Sequence, residues 1–282
     1  MQVVHAADMP WLEREEKHRE GSLAFKNLFK GNEGDPNNFR WVLSRNSGTY
    51  RSPHHRHNFD QVRFCVEGTA NIAPGKTLNQ GDVGYFPEGT PYGPQEDLHA
   101  HRLTLVLQGG GASGLGYMSA AQLRRGHEEL ERLGSFSGGR FRRYGEAESR
   151  DSYEAIWEHV FGRPIDYPPQ RYDEPILIRA AAFAWRRDGD GGARRKLFGS
   201  FTERGTRLEM LRIEPGERAM LGEAGATTLT FAVCGSGRYR GERWSAHSAL
   251  CLAPGEAVNL EAGAPAELFV ITLPTIAAPA AS

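Results

Sequence analysis

Glycine and proline set the scale of anything this chain can fold into. Its 34 glycines and 16 prolines among 282 residues cut the apolar sequence into short stretches at close spacing, the pattern of strands and turns. In the first half Phe39–Leu43, Gln61–Val66 and Leu98–Leu107 read as strands, and Gly81–Pro87 enters a turn at Glu88-Gly89-Thr90-Pro91. A second β-rich region offers Ile176–Trp185, Leu208–Ile213, Leu229–Cys234, Ala249–Leu252 and Glu267–Leu273. Two turns repeat between the halves: Val66-Glu67-Gly68-Thr69-Ala70 matches Val233-Cys234-Gly235-Ser236-Gly237, and Val83–Gly89 matches Ala249–Gly255. The reading is a duplicated β-domain.

Between the copies the pattern changes. Ser119 is placed to N-cap a helix running to about Leu133, with Leu123, Leu130 and Leu133 on one face and Gly134 as a stop. Asp151–Val160 is a second short helix, and the proline-rich segment 163–175 an ordered connector. The glycine-rich stretch Gly109–Gly114 lacks the lysine and hydroxyl of a phosphate loop and reads as a flexible hinge. The division expected is an N-terminal arm (1–35), a first β-domain (36–112), a helical insert and linker (113–175), a second β-domain (176–276) and a tail (277–282).

Charge and composition exclude several classes of function. The formal charge is −1, so there is no overall basic field for nucleic acid or an anionic membrane. No apolar run approaches the ~18 residues of a membrane span. The first twenty residues are crowded with charge and lack the apolar core of a signal peptide. Cys65, Cys234 and Cys251 are dispersed and form neither a disulfide framework nor a thiolate zinc motif. The expected compartment is the reducing cytoplasm.

Half of the ten histidines crowd into one short region, as His54, His55, His57, His99 and His101. His55 and His57 lie two apart, so on an extended strand their rings leave the same face. Gln61 follows after a bend at Asn58-Phe59-Asp60, Gly68 closes the next strand, and Gly81 opens the run G-x5-P-x-G-x2-Y that ends at Tyr92. A regular strand from Gln61 turns Arg63 and Cys65 the same way. His99 and His101 share the parity of Leu103, Leu105 and Leu107.

These two runs resemble the motifs of the cupin superfamily, and with the repeat they resemble a bicupin. The likeness is closest at His55, His57, Gly68, Gly81, Pro87 and Gly89; it covers about residues 36–110 firmly and 176–274 weakly. It implies an all-β chain of two jelly-roll (double-stranded β-helix) barrels joined by the short helical insert. It also implies a divalent metal, Fe(II), Mn(II), Zn(II) or Ni(II), in the mouth of the first barrel. The family places two histidines, a glutamate and a further histidine around that metal. This sequence has His55 and His57, with Gln61 in the glutamate position, Tyr92 in that of the last histidine and Glu96 in that of the closing asparagine.

Neutral ligands leave a cation's charge uncompensated, which favours an anionic chelating substrate and Lewis-acid chemistry. Tyr92 restores one negative charge if it ionises, or with His101 completes the shell or moves protons. Arg63 is the candidate clamp for a substrate carboxylate or phosphate. Two functions follow from the resemblance. One is a metal-dependent enzyme on a small organic or aromatic acid, of dioxygenase type or of isomerase, cyclase or lyase type. The other is a non-catalytic small-molecule-binding cupin that has lost its metal. The second barrel, with His247 alone and no paired histidines, is expected to be metal-free and structural. A homodimer is the base-rate expectation for bicupins.

Overall fold

The structure is a computed structural model. It describes every residue except 16–19, 47, 98–100, 116, 190–191 and 277–282, and for 14–15 and 20–22 the backbone alone. The chain divides into two compact units: Trp11–Leu177 forms one, and residues 1–10 with 178–276 form the other. The expected arm is therefore no separate element. Gln2–His5 pairs antiparallel with Ser248–Cys251 in the second unit, whereas Leu12–Glu15 and Glu20–Lys30 extend the sheet of the first. Their backbones offer rows of N–H and C=O groups that a sheet edge satisfies.

Each unit is built on one large sheet, of ten strands in the first and nine in the second. The middle of each is the same three-strand ladder. In the first unit Arg102–Gly109 lies between Phe39–Asn46 and Asp60–Ala73. In the second Val258–Pro274 lies between Thr206–Ile213 and Ala226–Tyr239. The registers match through the middle of the ladder. Val106 faces Val42 and Arg63, as Val270 faces Glu209 and Thr230; Gln108 faces Arg40 and Gln61, as Thr272 faces Arg207 and Thr228. Even the bulge repeats, between Cys65 and Glu67 and again between Ala232 and Cys234.

The repeated turns explain why the motif glycines are glycines. Gly68 and Gly235 have φ of +75° and +85°, and a Cβ there would stand 2.2 Å from the carbonyl oxygen of His101 and 2.5 Å from that of Pro265. Gly81 (φ +86°) corresponds to His247 (φ +65°), and both amides bond back to the preceding strand, at Cys65 and Ala232. The only histidine of the second repeat thus serves as a left-handed turn residue.

The insert forms two helices and a small three-stranded sheet. Helix α1, Ala120–Glu131, starts at a full capping box: the Ser119 hydroxyl accepts the Gln122 amide at 3.0 Å, and the Gln122 side chain accepts the Ser119 amide at 2.8 Å. Helix α2, Ser152–Phe161, is capped by Asp151 and ends at Gly162 in the left-handed conformation. Gly134 does not merely stop a helix: it opens the strand Gly134–Ser137, which pairs with Arg140–Arg143. The insert core of Met118, Leu130, Phe141, Tyr153, Ile156 and Trp157 closes over Phe59. Gly109–Gly111, expected as a hinge, is buried, because Phe39 packs on Gly109 and the Glu88 side chain fills the space where Gly111 would carry a Cβ. No described helix is long and apolar enough to cross a membrane.

Candidate active site

Strand alternation builds the site. Val62 and Phe64 pack on one face of Asp60–Ala73, while Gln61 and Arg63 point from the other into a cavity of about 140 Å³ in the first unit. That is roughly ten times the ~15 Å³ needed for one water. Val42 and Ser44 line it from the next strand, Arg102, Val106 and Gln108 from the central one.

His55 and His57 reach the cavity from the segment before Gln61. His55 is fixed by a two-residue bridge to Tyr92, its amide bonding the Tyr92 carbonyl at 3.0 Å and its carbonyl accepting the Tyr92 amide at 2.9 Å. The two imidazoles stand with ring centres 4.8 Å apart, and the Tyr92 ring lies 4.5 Å from that of His55 and 5.7 Å from that of His57. Nδ1 of His55 lies 2.6 Å from the Pro53 carbonyl oxygen. A carbonyl can only accept, so the proton sits on Nδ1, and in the neutral ring Nε2 carries the lone pair. His57 stacks on Phe59 at 4.4 Å and meets Tyr153 edge-on at 5.7 Å.

Arg63 is the centre of the polar end. Its Nε donates to Gln61 Oε1 at 2.6 Å, one terminal nitrogen to Gln95 Oε1 at 3.1 Å and the other to the Tyr92 hydroxyl at 3.1 Å. Its guanidinium also lies 4.6 Å from the centre of the Phe86 ring. Gln95 is oriented from behind: its amide donates to Asp97, which also takes Nε of Arg102 at 2.9 Å. The Gln95 oxygen is thereby turned toward Arg63. Arg40, Arg63 and Arg102 all line the cavity, and no described carboxylate does. Arg102 is neutralised by Asp97. Arg63 bonds only neutral oxygens, and no described carboxylate pairs with it. Two of its five N–H donors remain for a ligand.

Of the residues expected here, His55, His57, Gln61, Arg63 and Tyr92 come together on one cavity. His101 does not: it is exposed, and not among the lining residues. The parity of its strand runs the other way, with Arg102, Val106 and Gln108 facing the cavity and Leu105 and Leu107 buried behind it. His99 lies outside the described residues. Cys65 has the parity of Arg63 but belongs to the core, its thiol donating to the carbonyls of Glu67 and Gly68. Glu96 faces out beside Arg51. Sequence reasoning missed Gln95, Arg102 and Gln108, and also Tyr117, Met118, Leu123 and Tyr153, by which the insert roofs the cavity. Gln108 carried a usable signal, being opposite Gln61 once the two strands are paired.

The donors test whether a divalent metal fits. The imidazole pair suits one. The oxygens do not, because the Gln61 carbonyl and the Tyr92 hydroxyl are both held by a cationic guanidinium, and no carboxylate among the described lining residues offsets the charge. Among the described residues no three of His, Cys, Asp and Glu gather at one point. As a whole the set does not fit a divalent cation.

No protein-family model and no curated protein matches the sequence. Solved structures do. A Nostoc punctiforme protein described only provisionally as a dioxygenase matches with a TM-score of 0.63 at 11% identity, over 98% of this chain and 85% of its own. Oxalate decarboxylase of Lactobacillus farciminis, in a formate complex, matches with a TM-score of 0.56 at 13% identity, over 98% and 87%. GK1651 of Geobacillus kaustophilus matches at 0.52 and 14%, over 97% and 95%. The chain therefore shares a β-rich fold with these proteins. At these identities the likeness concerns the fold alone.

Proposed function

We propose that the chain is a bicupin enzyme acting on a small carboxylic acid, by proton transfer of the isomerase or lyase type, in the cavity of the first repeat. The observation that carries this reading is Arg63, a permanent cation that no described carboxylate pairs, facing a cavity with no acidic side chain among its described lining residues and two imidazoles beside it. A guanidinium with two open N–H groups is suited to a carboxylate. The Pro53 carbonyl holds His55 in one tautomer, with Nε2 as the accepting nitrogen. That nitrogen takes a proton from the carbon beside the acid's carbonyl, and the electron pair spreads onto the oxygens facing Arg63. Return of the proton from the imidazolium at another carbon gives an isomer; its transfer to a neighbouring hydroxyl, which leaves as water, gives an alkene. Phe59, Tyr117 and Tyr153 line the cavity beside the two imidazoles and make that end of it apolar.

Titrating the full chain with a panel of two- to six-carbon oxo and hydroxy acids, followed by NMR in deuterated water, tests this. We expect at least one acid to bind and to exchange a carbon-bound proton for deuterium. His55→Ala should slow that exchange roughly 100-fold or more. A panel without a binder, or exchange undiminished in His55→Ala, contradicts the proposal.

A further inference from the structure

We infer that the guanidinium of Arg63 takes the place of the divalent cation in this cupin site and is itself the cation that receives the substrate's carboxylate. The inference builds on the carboxylic-acid reading and says which charge does the recognising. The metal motif, as it stands here, supplies two imidazoles, an amide oxygen and a phenol oxygen. Arg63 donates to both oxygens, at 2.6 and 3.1 Å. A third neutral oxygen, that of Gln95, is aimed at the same group by Asp97. Phe86 and Tyr92 flank it at 4.6 and 5.3 Å.

This is a cradle built for a planar cation: neutral acceptors in the plane and π-faces against it. A guanidinium does not lose its proton at any accessible pH, so the site carries a fixed positive charge that opposes a metal ion drawn to the same oxygens. The scaffold does not demand an arginine here. At the matching register of the second repeat the residue is Thr230, and Thr228 matches Gln61. Arg63 and Gln61 therefore belong to the site and not to the ladder.

The test measures metal and anion binding separately. Full-length protein is incubated with Zn(II), Mn(II) or Fe(II), desalted and analysed for metal, and calorimetry follows pyruvate and oxalate with and without EDTA. Wild type should retain less than about a tenth of a metal ion per chain. Arg63→Met, which releases the Gln61 and Tyr92 oxygens while keeping the bulk of the side chain, should take up about one Zn(II). Adding His57→Ala to it should remove that ion again. Arg63→Gln serves if the methionine variant melts early. Near-stoichiometric metal in wild type that His57→Ala abolishes would overturn the inference, and so would an Arg63 variant that folds but gains no metal. On the anion side, binding to wild type should be unchanged by EDTA and at least tenfold weaker in Arg63→Met. If neither acid nor any member of the panel binds while the metal arms come out as expected, the carboxylic-acid reading fails and the displacement of the metal stands.

Discussion

Cys65 shows how much a burial environment changes one side chain. It is fully buried, its Sγ–H donates to the carbonyls of Glu67 and Gly68, and burial pushes its thiol up to about 11. Cys251 is raised to about 11 for the same main reason, whereas Cys234 is exposed. The thiolate is the reactive form, so native protein treated with iodoacetamide at pH 8 should carry its adduct on Cys234 and leave Cys65 unmodified. Denaturant should open all three. Peptide mass spectrometry reads the outcome, and an adduct on Cys65 in the native protein would contradict it. Legibility was uneven at this scale. His55, His57, Gln61 and Arg63 were readable from their spacing on extended chain, and Tyr92 from its place three residues after the motif glycine Gly89. His101 was misread because it shares the parity of Leu103, Leu105 and Leu107, which faces away from the cavity, and the cavity-facing parity is set by pairing Gln108 with Gln61. Gln95 was missed because its role depends on Asp97 and Arg63 meeting on either side of it.

The insert shows the same contrast among elements. The first helix was legible from its cap, Ser119, and an apolar face at helical spacing, and the second, expected over Asp151–Val160, forms as Ser152–Phe161 behind an Asp151 cap. The hairpin of Gly134–Ser137 and Arg140–Arg143 was not. Three arginines in four positions read as a solvated surface, and Phe141 alone enters the core. What no local pattern shows is that these elements roof a cavity. Gly126 is where α1 meets α2: a Cβ there would stand 2.6 Å from Val160 Cγ2 and 2.9 Å from Ile156 Cγ2. Gly126→Val should force the helices apart and cost about 1–3 kcal/mol. Since Ala120 and Leu123 of α1 and Tyr153 of α2 line the cavity, it should also weaken acid binding severalfold, where an exposed change such as Glu128→Ala should not. Thermal melting and calorimetry on the two variants decide this.

Across the whole molecule, duplication supplies two similar ladders with opposite electrostatic outcomes. Around the second repeat's cavity Arg195 bonds Asp188 and Glu209, each at 2.6 Å, and Arg207 pairs with Glu223, so acids and bases there satisfy one another. Burial is the largest influence on Glu209 and raises its pKa above the usual glutamate value, with Arg195 and Arg207 opposing. A carboxyl raised in the fold favours folding below its unfolded pKa, and that contribution is lost as pH climbs through the folded value. Glu209→Gln cannot titrate. Its melting temperature relative to wild type should therefore rise as pH goes from about 4 to 7, with acid binding in the first repeat unchanged; a difference that falls with pH would refute the assignment. By itself the sequence determined the two β-repeats, their turns and the helices between them. Those follow from short-range causes: strand alternation, glycines at positive φ and side-chain caps. Tertiary structure alone decided that the N-terminal strands divide between the units, that the insert covers the cavity, and that Arg63 holds the oxygens the motif would have offered to a metal. These last depend on which side chains meet across strands distant in sequence, and on whether each charge finds an opposite one, and neither is written in spacing.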